Sequence, residues 1–342
     1  MEADSPSPVG DAGLPDDNTL LRRAAEAGRD RRIAVVGDAI LDRYRTPDGH
    51  TQSFAGGAAV IAGHLKQLGA EPVLITQLSA DAHAGRLLRI VDHLGVEVEA
   101  IPTAAAQPTR LREVYADRIT ARPRQELVTP PGPETLSRLA GAVAERRLQL
   151  DAVVFADFGY GTVTAELLDA LLPVIRPHIG VLAGDVSGAR PSLLAMRRFD
   201  LLTPTEAELR RLSPSVSPKT PLDGLAQQLK QALALKHLLI TRNAAGCVHY
   251  GPIGRPRVIP SRAAAVVDDV GAGDALLAAA TLSLSSGLNI ENAVQFGQIA
   301  AAAAIARVGN APVTWDRLRG VFETTETTQK SARPAAPVPA AR

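Results

Sequence analysis

The densest chemistry in the chain lies in Val266-Val-Asp-Asp-Val-Gly-Ala-Gly-Asp-Ala-Leu-Leu, where an apolar run ends in two carboxylates and Gly271-Ala272-Gly273 follows. A helix is expected to open there with Asp274 in its first turn. Small residues at 271–273 let backbone N–H groups converge at the helix N-terminus, whose unpaired donors and macrodipole favour an anion such as a phosphate. The same dipole is expected to keep Asp274 ionised, ready to accept a proton from a hydroxyl attacking a phosphoryl group. For an isolated turn of this kind the commoner alternative is a helix-capping carboxylate behind a tight βα turn. The rest of the chain has to decide between the two.

Short β-branched runs alternate with amphipathic stretches, the pattern of βα units and a mostly parallel sheet. Strands are expected over Ile33–Gly37, Pro72–Gln77, Ala152–Ala156, Gly180–Gly184 and His237–Thr241. Helices are expected over Ala58–Leu68, His83–His93, Pro133–Leu148, Ala165–Ile175, Leu222–Leu235, Ala272–Ser285 and Ile290–Val308. Between residues 96 and 128 the alternation breaks. Val96-Glu-Val-Glu and Arg110-Leu-Arg-Glu-Val-Tyr have a period of two, which predicts antiparallel strands outside the main sheet, a small lid. The Pro-, Gly- and Asp-rich residues 1–18 and the Ala/Pro-rich residues 323–342 hold too little large apolar surface to offset ordering entropy and are expected to be disordered. One α/β domain over 19–322 remains, with lid elements around 40–55 and 96–128.

Further carboxylates and glycines stand in a telling order. Val35-Val-Gly-Asp38-Ala-Ile-Leu-Asp42-Arg-Tyr ends the first strand, and Ala55-Gly56-Gly57-Ala-Ala59 opens the next helix. With Gly271-Ala-Gly-Asp274 these make the chain resemble the ribokinase-like (PfkB) sugar kinases, most closely their heptose-7-phosphate kinase branch, from about Ile33 to Thr314. Leu202-Thr-Pro-Thr-Glu-Ala-Glu208 is similar to the family's Thr-Pro-Asn-x-x-Glu segment, and Leu239-Ile-Thr-Arg-Asn-Ala-Ala-Gly246 to its Thr-Arg-x-x-x-Gly segment. Ala156-Asp157-Phe-Gly-Tyr-Gly161 matches a Ser-Asp-Tyr-x-x-Gly turn, and Phe296–Gly309 resembles the helix flanking the adenine.

The resemblance implies a doubly wound, mostly parallel sheet with a reduced β lid, and ATP-dependent phosphorylation of a sugar or sugar-phosphate hydroxyl with ATP and Mg2+. It makes Asp274 the base and Gly271, Ala272 and Gly273 the anion hole. Asp38, Asp42, Gly56 and Gly57 become sugar contacts, with Asp38 as the anchor. Thr241, Arg242, Gly246 and Gln298 join the glycines as nucleotide contacts, and Glu208 organises the magnesium. Taken alone, Asp38 is as readily a turn cap and Gly56-Gly57 a helix opening. A homodimer through lid strands is also implied by the resemblance.

Departures from the family pattern cluster on the sugar side. Val60 replaces an Asn, the stretch from Arg45 to Phe54 is short, Tyr160 replaces a Lys, and Asp185-Val-Ser-Gly188 replaces Asp-Pro-Lys-Gly. Thr205 and Val270 replace an Asn and a Thr on the nucleotide side. Arg110, Arg112, Arg190 and Arg242 are candidates for the missing positive charge, Arg being suited to bidentate phosphate contacts, although exposed Arg is commonly only solvated. These changes keep a second reading open, a catalytically silent kinase fold that binds nucleotide or sugar and regulates something else. A nucleoside kinase, with Phe54 stacking on a planar ring, is a third.

Composition excludes other classes. Lys+Arg 37 against Asp+Glu 36 leaves +1, no global field for a nucleic acid or anionic membrane. Aromatics at 3% leave few base-stacking platforms. One cysteine, Cys247, precludes an internal disulfide and a cysteine zinc site, which fits a reducing compartment, and Met1-Glu-Ala-Asp-Ser-Pro is no export signal, so the cytoplasm is the expected location. No apolar stretch reaches the ~20 residues of a membrane span. The histidines show no HExxH spacing, and neither a Gly-x-Ser-x-Gly elbow nor a Walker loop occurs.

Overall fold

A computed structural model of the chain describes residues 17–115, 118–121, 131–187, 191–212 and 220–321. The opening strand β1 (Arg32–Gly37) shows how the core is built. Its alternate residues Ile33 and Val35 enter one apolar cluster while Ala34 and Val36 enter another, so each face of the sheet has its own packed layer. The chain then runs through β2 (Ala39–Arg45), β3 (Thr51–Gly57), α2 (Ala58–Gln67), β4 (Glu71–Leu78), α3 (Ala82–His93), β5 (Glu97–Pro102), β6 (Thr109–Tyr115) and β7 (Arg118–Ala121), preceded by α1 (Asp17–Gly28). The second half supplies α4 (Pro133–Arg146), β8 (Ala152–Asp157), α5 (Ala165–Ile175), β9 (Val181–Val186), α6 (Pro191–Ala195), β10 (Leu201–Leu202), α7 (Glu206–Arg211), α8 (Leu222–Ala232), β11 (His237–Thr241), β12 (Cys247–Tyr250), β13 (Arg257–Ile259), α9 (Ala272–Ser285) and α10 (Ile290–Ile305).

Among the described residues the main sheet has the order β13-β12-β11-β10-β9-β8-β1-β4-β5, parallel from β11 through β5 and antiparallel at β12 and β13. The chain moves one way from β1 to β4 and β5, then returns to place β8 on the other side of β1. This reversal is the switch point at which open α/β sheets leave a crevice beyond the strand carboxyl ends. The second sheet, β3-β2-β6-β7, is the lid.

The lid differs from the sequence expectation in its makeup. Val96-Glu-Val-Glu does not join it: β5 pairs parallel with β4 as the edge of the main sheet. A half-exposed edge strand alternates polar and apolar residues just as a hairpin strand does, so periodicity cannot separate the two. Arg110–Tyr115 does enter the lid, in β6, but its partner β2 is parallel and only β7 is antiparallel. The disorder expected over 1–18 and 323–342 falls outside the described residues apart from Asp17 and Asn18, which open α1. Leu20, Leu21 and Ala24 of that helix are buried in the same cluster as residues of α9 and α10.

Candidate active site

The strand carboxyl ends and the N-terminus of α9 frame one crevice. Gly271 is the N-cap of α9 in the left-handed region (φ 81°), and no side chain caps the helix. Asp274 is therefore no capping carboxylate. A methyl group on Gly271 would meet Asn310 Oδ1 at 2.3 Å, whereas one on Gly273 would meet nothing within 4 Å, so the second glycine faces open space. The first-turn N–H groups have no acceptors within the helix. Asp274 itself is only 8% exposed. Burial pushes its carboxyl from 3.8 to about 7, with Arg110 pulling it down, Asp42 raising it and Arg112 lowering it. The expectation that the dipole would keep it ionised is thus corrected: a helix end is worth up to ~2 kcal/mol, less than the cost of burying the charge.

Asp42 and its neighbours lie across from Asp274. Asp42 is fully buried; its Oδ1 accepts from Arg110 Nε at 2.9 Å and its Oδ2 from Asn310 Nδ2 at 3.1 Å. Register puts Arg110 beside Asp42 and Arg112 beside Tyr44 on adjacent strands β6 and β2. As residues two apart, both arginines are on one face of β6. The Arg110 guanidinium lies 5.5 Å from the centre of the Phe158 ring, and that of Arg112 lies 5.8 Å from the Tyr44 ring. Arg112 Nε is buried without a hydrogen-bond partner. Gly56 is small because a Cβ there would meet Asp42 Oδ2 at 2.3 Å, and Gly57 (φ 59°) brings Ala58 N within 3.0 Å of Asp38 O.

Asp38 is taken up by the turn that follows β8. It is 1% exposed, and its carboxylate accepts three backbone N–H bonds, from Phe158 (2.9 Å), Tyr160 (3.0 Å) and Thr162 (2.9 Å). Its side chain organises the 158–162 turn against the end of β1. Asp157 holds the same turn through Gly159 N at 2.7 Å and binds the Ser192 hydroxyl.

On the nucleotide side Thr241 bridges to Thr205, which places the end of β11 against the start of α7. Thr205 and Glu208 form a capping box: Glu208 N donates to Thr205 Oγ1 at 3.1 Å, and Thr205 N donates to Glu208 Oε2 at 2.8 Å. The Thr-x-x-Glu spacing announces this box, and the sequence reading passed over it. Arg242 pairs with Glu206 at 3.0 Å. Gly246 (φ 80°) is required by the backbone, since a Cβ there would meet Ile259 O at 2.2 Å. Gln298 departs from expectation. It is buried and donates to Cys247 Sγ at 2.9 Å, so it is committed to the core rather than to an adenine ring. Val60 is fully buried in α2. Phe54 packs edge-on against Tyr44 and closes on Gly309, so it is no free stacking platform. Arg190 and Gly188 lie outside the described residues.

Asp185, at the end of β9, completes the crevice. Burial pushes its carboxyl well above the usual range, and the charges of Glu208 and Asp274 push it further. Among the described residues no group of three His, Cys, Asp or Glu side chains could hold a metal ion by itself.

A doubly wound sheet with a small β lid over a carboxylate at an open helix N-terminus is the architecture of the ribokinase-like sugar kinases. The chain belongs to the pfkB family of carbohydrate kinases, whose family model matches residues 30–317. It is 28% identical over 304 residues to a D-beta-D-heptose 7-phosphate kinase of Bordetella bronchiseptica, covering 84% of this chain and 95% of that protein. It is 29% identical to the bifunctional protein HldE of Hyphomonas neptunium over 89% of this chain, and the match spans 65% of that longer relative. Among solved structures, phosphofructokinase-2 of Escherichia coli in complex with potassium has a TM-score of 0.71 at 18% identity, covering 87% of this chain and 99% of that one. Arabidopsis thaliana ribokinase complexed with ribose and ATP has a TM-score of 0.66 at 18% identity, covering 86% and 99%. No helix among the described residues is long and apolar enough to cross a membrane.

Proposed function

We propose that the chain phosphorylates a hydroxyl of a sugar or sugar phosphate at the expense of ATP, with Asp274 as the base. The observation that carries this reading is the buried Asp274 carboxyl, held near 7 at an uncapped helix N-terminus. A base poised there is ionised often enough to act at neutral pH and basic enough to take a proton. ATP would supply the phosphoryl group and Mg2+ the screening of its charge, with Asp185 and Glu208 the carboxylates that would hold the ion's water shell.

The residues of the chain divide the remaining work. Asp274 accepts the hydroxyl proton as the acceptor oxygen bonds to the γ-phosphorus of ATP, the bond from that phosphorus to the β,γ-bridging oxygen breaks, and ADP leaves. The N–H groups of Ala272 and Gly273 hold the phosphoryl oxygens. Asp42, with the backbone at Gly56 and Gly57, orients the acceptor hydroxyls, and Asp38 shapes the same side through the 158–162 turn. Arg110 positions Asp42. Arg112, with its unpartnered Nε, is the cation suited to an acceptor that already bears an anionic group, which favours a sugar phosphate such as the one named for the Bordetella relative.

The test is ADP release with MgATP across matched free and phosphorylated sugars, heptose 7-phosphate included. Turnover by wild type, lost by a factor of at least ~10³ in Asp274→Asn, is expected from losing a general base. Nucleotide binding without ADP release on every acceptor would favour the silent-fold reading instead.

A further inference from the structure

The segment that follows α10 joins the two halves of the crevice through one side chain. Asn310 is 3% exposed and makes two contacts with different parts of the site. Its Nδ2 donates to Asp42 Oδ2 at 3.1 Å, on strand β2 of the lid. Its Oδ1 lies against the N-cap of α9, where a Cβ on Gly271 would stand 2.3 Å from it. The carboxylate fixes which way the amide faces, because of its two ends only the NH2 group can donate to a carboxylate oxygen. Asn310 therefore touches both the carboxylate assigned to the acceptor and the residue from which the anion hole begins.

The backbone around Asn310 is fastened on both sides. Gly309 N donates to Asp268 Oδ2 at 3.0 Å, and Val270 N donates to Asp268 Oδ1 at 3.2 Å, so one carboxylate clasps this turn together with the residue before Gly271. From the lid, the Phe54 ring closes on Gly309, where a Cβ would meet Cζ at 2.4 Å. Gly271 has a left-handed φ of 81°, no side-chain cap and no side chain of its own. Its place is set by what packs on its Cα, and the three atoms nearest to that position all belong to Asn310. Asp42 does not need Asn310 for charge balance, since Arg110 already reaches it through Nε at 2.9 Å and Nη2 at 3.4 Å. What the amide adds is a fixed distance.

We infer that Asn310 is a positioning residue that sets the separation between the acceptor hydroxyl at Asp42 and the phosphoryl group at the N-terminus of α9, an inference that rests on the kinase reading of the crevice. Transfer requires the attacking oxygen and the phosphorus to be in register, and a misplacement of ~1 Å can cost about 10²-fold in rate. Hydrogen-bond donors at an anion hole act only when they are already aimed at the developing charge. Asn310 keeps Gly271, and with it the N–H groups of Ala272 and Gly273, aimed at the place that Asp42 defines. An acceptor that pushes Asp42 aside shifts the amide and meets a distorted anion hole.

MgADP leaves the anion hole empty, whereas MgADP with aluminium fluoride fills it with a stand-in for the migrating phosphoryl group. Both are titrated calorimetrically into the full chain as wild type, Asn310→Ala and Asn310→Ser, the last of which keeps a hydroxyl donor for Asp42. Asn310→Ala should bind MgADP within about twofold of wild type, which also shows that it is folded, and the fluoride complex about tenfold or more weakly. Asn310→Ser should fall between the two. With the best acceptor of the ADP-release panel, kcat of Asn310→Ala should drop about tenfold or more while KM for ATP stays within about threefold. Equal weakening of both complexes would reduce Asn310 to a structural role and overturn the inference, as would wild-type affinities or an unchanged kcat. Wild-type turnover matched by Asn310→Ala refutes the inference alone. Absence of turnover on every acceptor, with the selective loss of the fluoride complex still present, refutes the sugar-kinase reading and leaves Asn310 as the residue that holds the anion hole in place.

Discussion

Replacing Asp274 by Asn tests both the chemistry and the physical cause assigned to it. Below about pH 3 the carboxyl is protonated in the folded and the unfolded chain alike and has no effect on stability. As pH rises, the unfolded chain releases the proton near 3.8 while the folded chain keeps it to about 7. Stability therefore falls across that window and levels off above it. Moving a carboxyl from 3.8 to about 7 corresponds to about 4 kcal/mol in total, of which about 2–3 kcal/mol develops between pH 5 and pH 8. Asn carries no such dependence, so Asp274→Asn should gain that amount on wild type between the two pH values, whatever constant offset the amide introduces. Urea unfolding of both proteins at pH 5 and pH 8 measures the gap, and titrating groups that do not feel Asp274 cancel in the difference, Asp185 being the neighbour that does feel it. In parallel, kcat/KM of wild type should rise about tenfold per pH unit up to about 7 and then flatten. A gap that is equal at both pH values, or a kinetic bend near 4, would show that Asp274 is neither buried nor poised as described.

Arg110→Ala leaves the Asp42 carboxylate buried with Asn310 as its remaining side-chain partner, and should cost about 3 kcal/mol in urea unfolding and raise KM for the sugar; a loss below ~0.5 kcal/mol would mean that Asp42 is solvated. Gly271→Ala puts a methyl on Asn310 Oδ1 and forces a left-handed φ on a residue with a side chain. About 1–3 kcal/mol of stability and at least tenfold in kcat should be lost, to be read by thermal unfolding and ADP release. Cys247 is fully buried, with its thiol pushed up to about 12, so the native protein should resist iodoacetamide at pH 8 while the urea-unfolded chain reacts, as intact mass will show.

Much of the scaffold was legible because its cause is local. Ala165–Ile175, Ala272–Ser285 and His237–Thr241 coincide with the expected elements, since apolar spacing and flanking turn residues set them without help from distant parts of the chain. The misplacement of Val96-Glu-Val-Glu arose where one pattern serves two pairings. The placement of Asp274 and its glycines was readable from type and spacing, but its protonation was not, because it depends on burial in the folded chain and on the charges of Arg110, Asp42 and Arg112 arriving from the lid. The partners of Asp38 were equally hidden: they are N–H groups 120 or more positions away that converge on its carboxylate.

Two of the lid's connections to the core have no slack. β1 passes into β2 through Asp38 alone, β3 passes directly into α2, and the two crossings are tied by Ala58 N to Asp38 O, while Gln107 Nε2 binds Ala39 O at 2.7 Å where the third strand arrives. Arg110 and Arg112 both stand on β6 of this small sheet, so any tilt of the sheet about that junction carries the two guanidiniums together relative to Asp274.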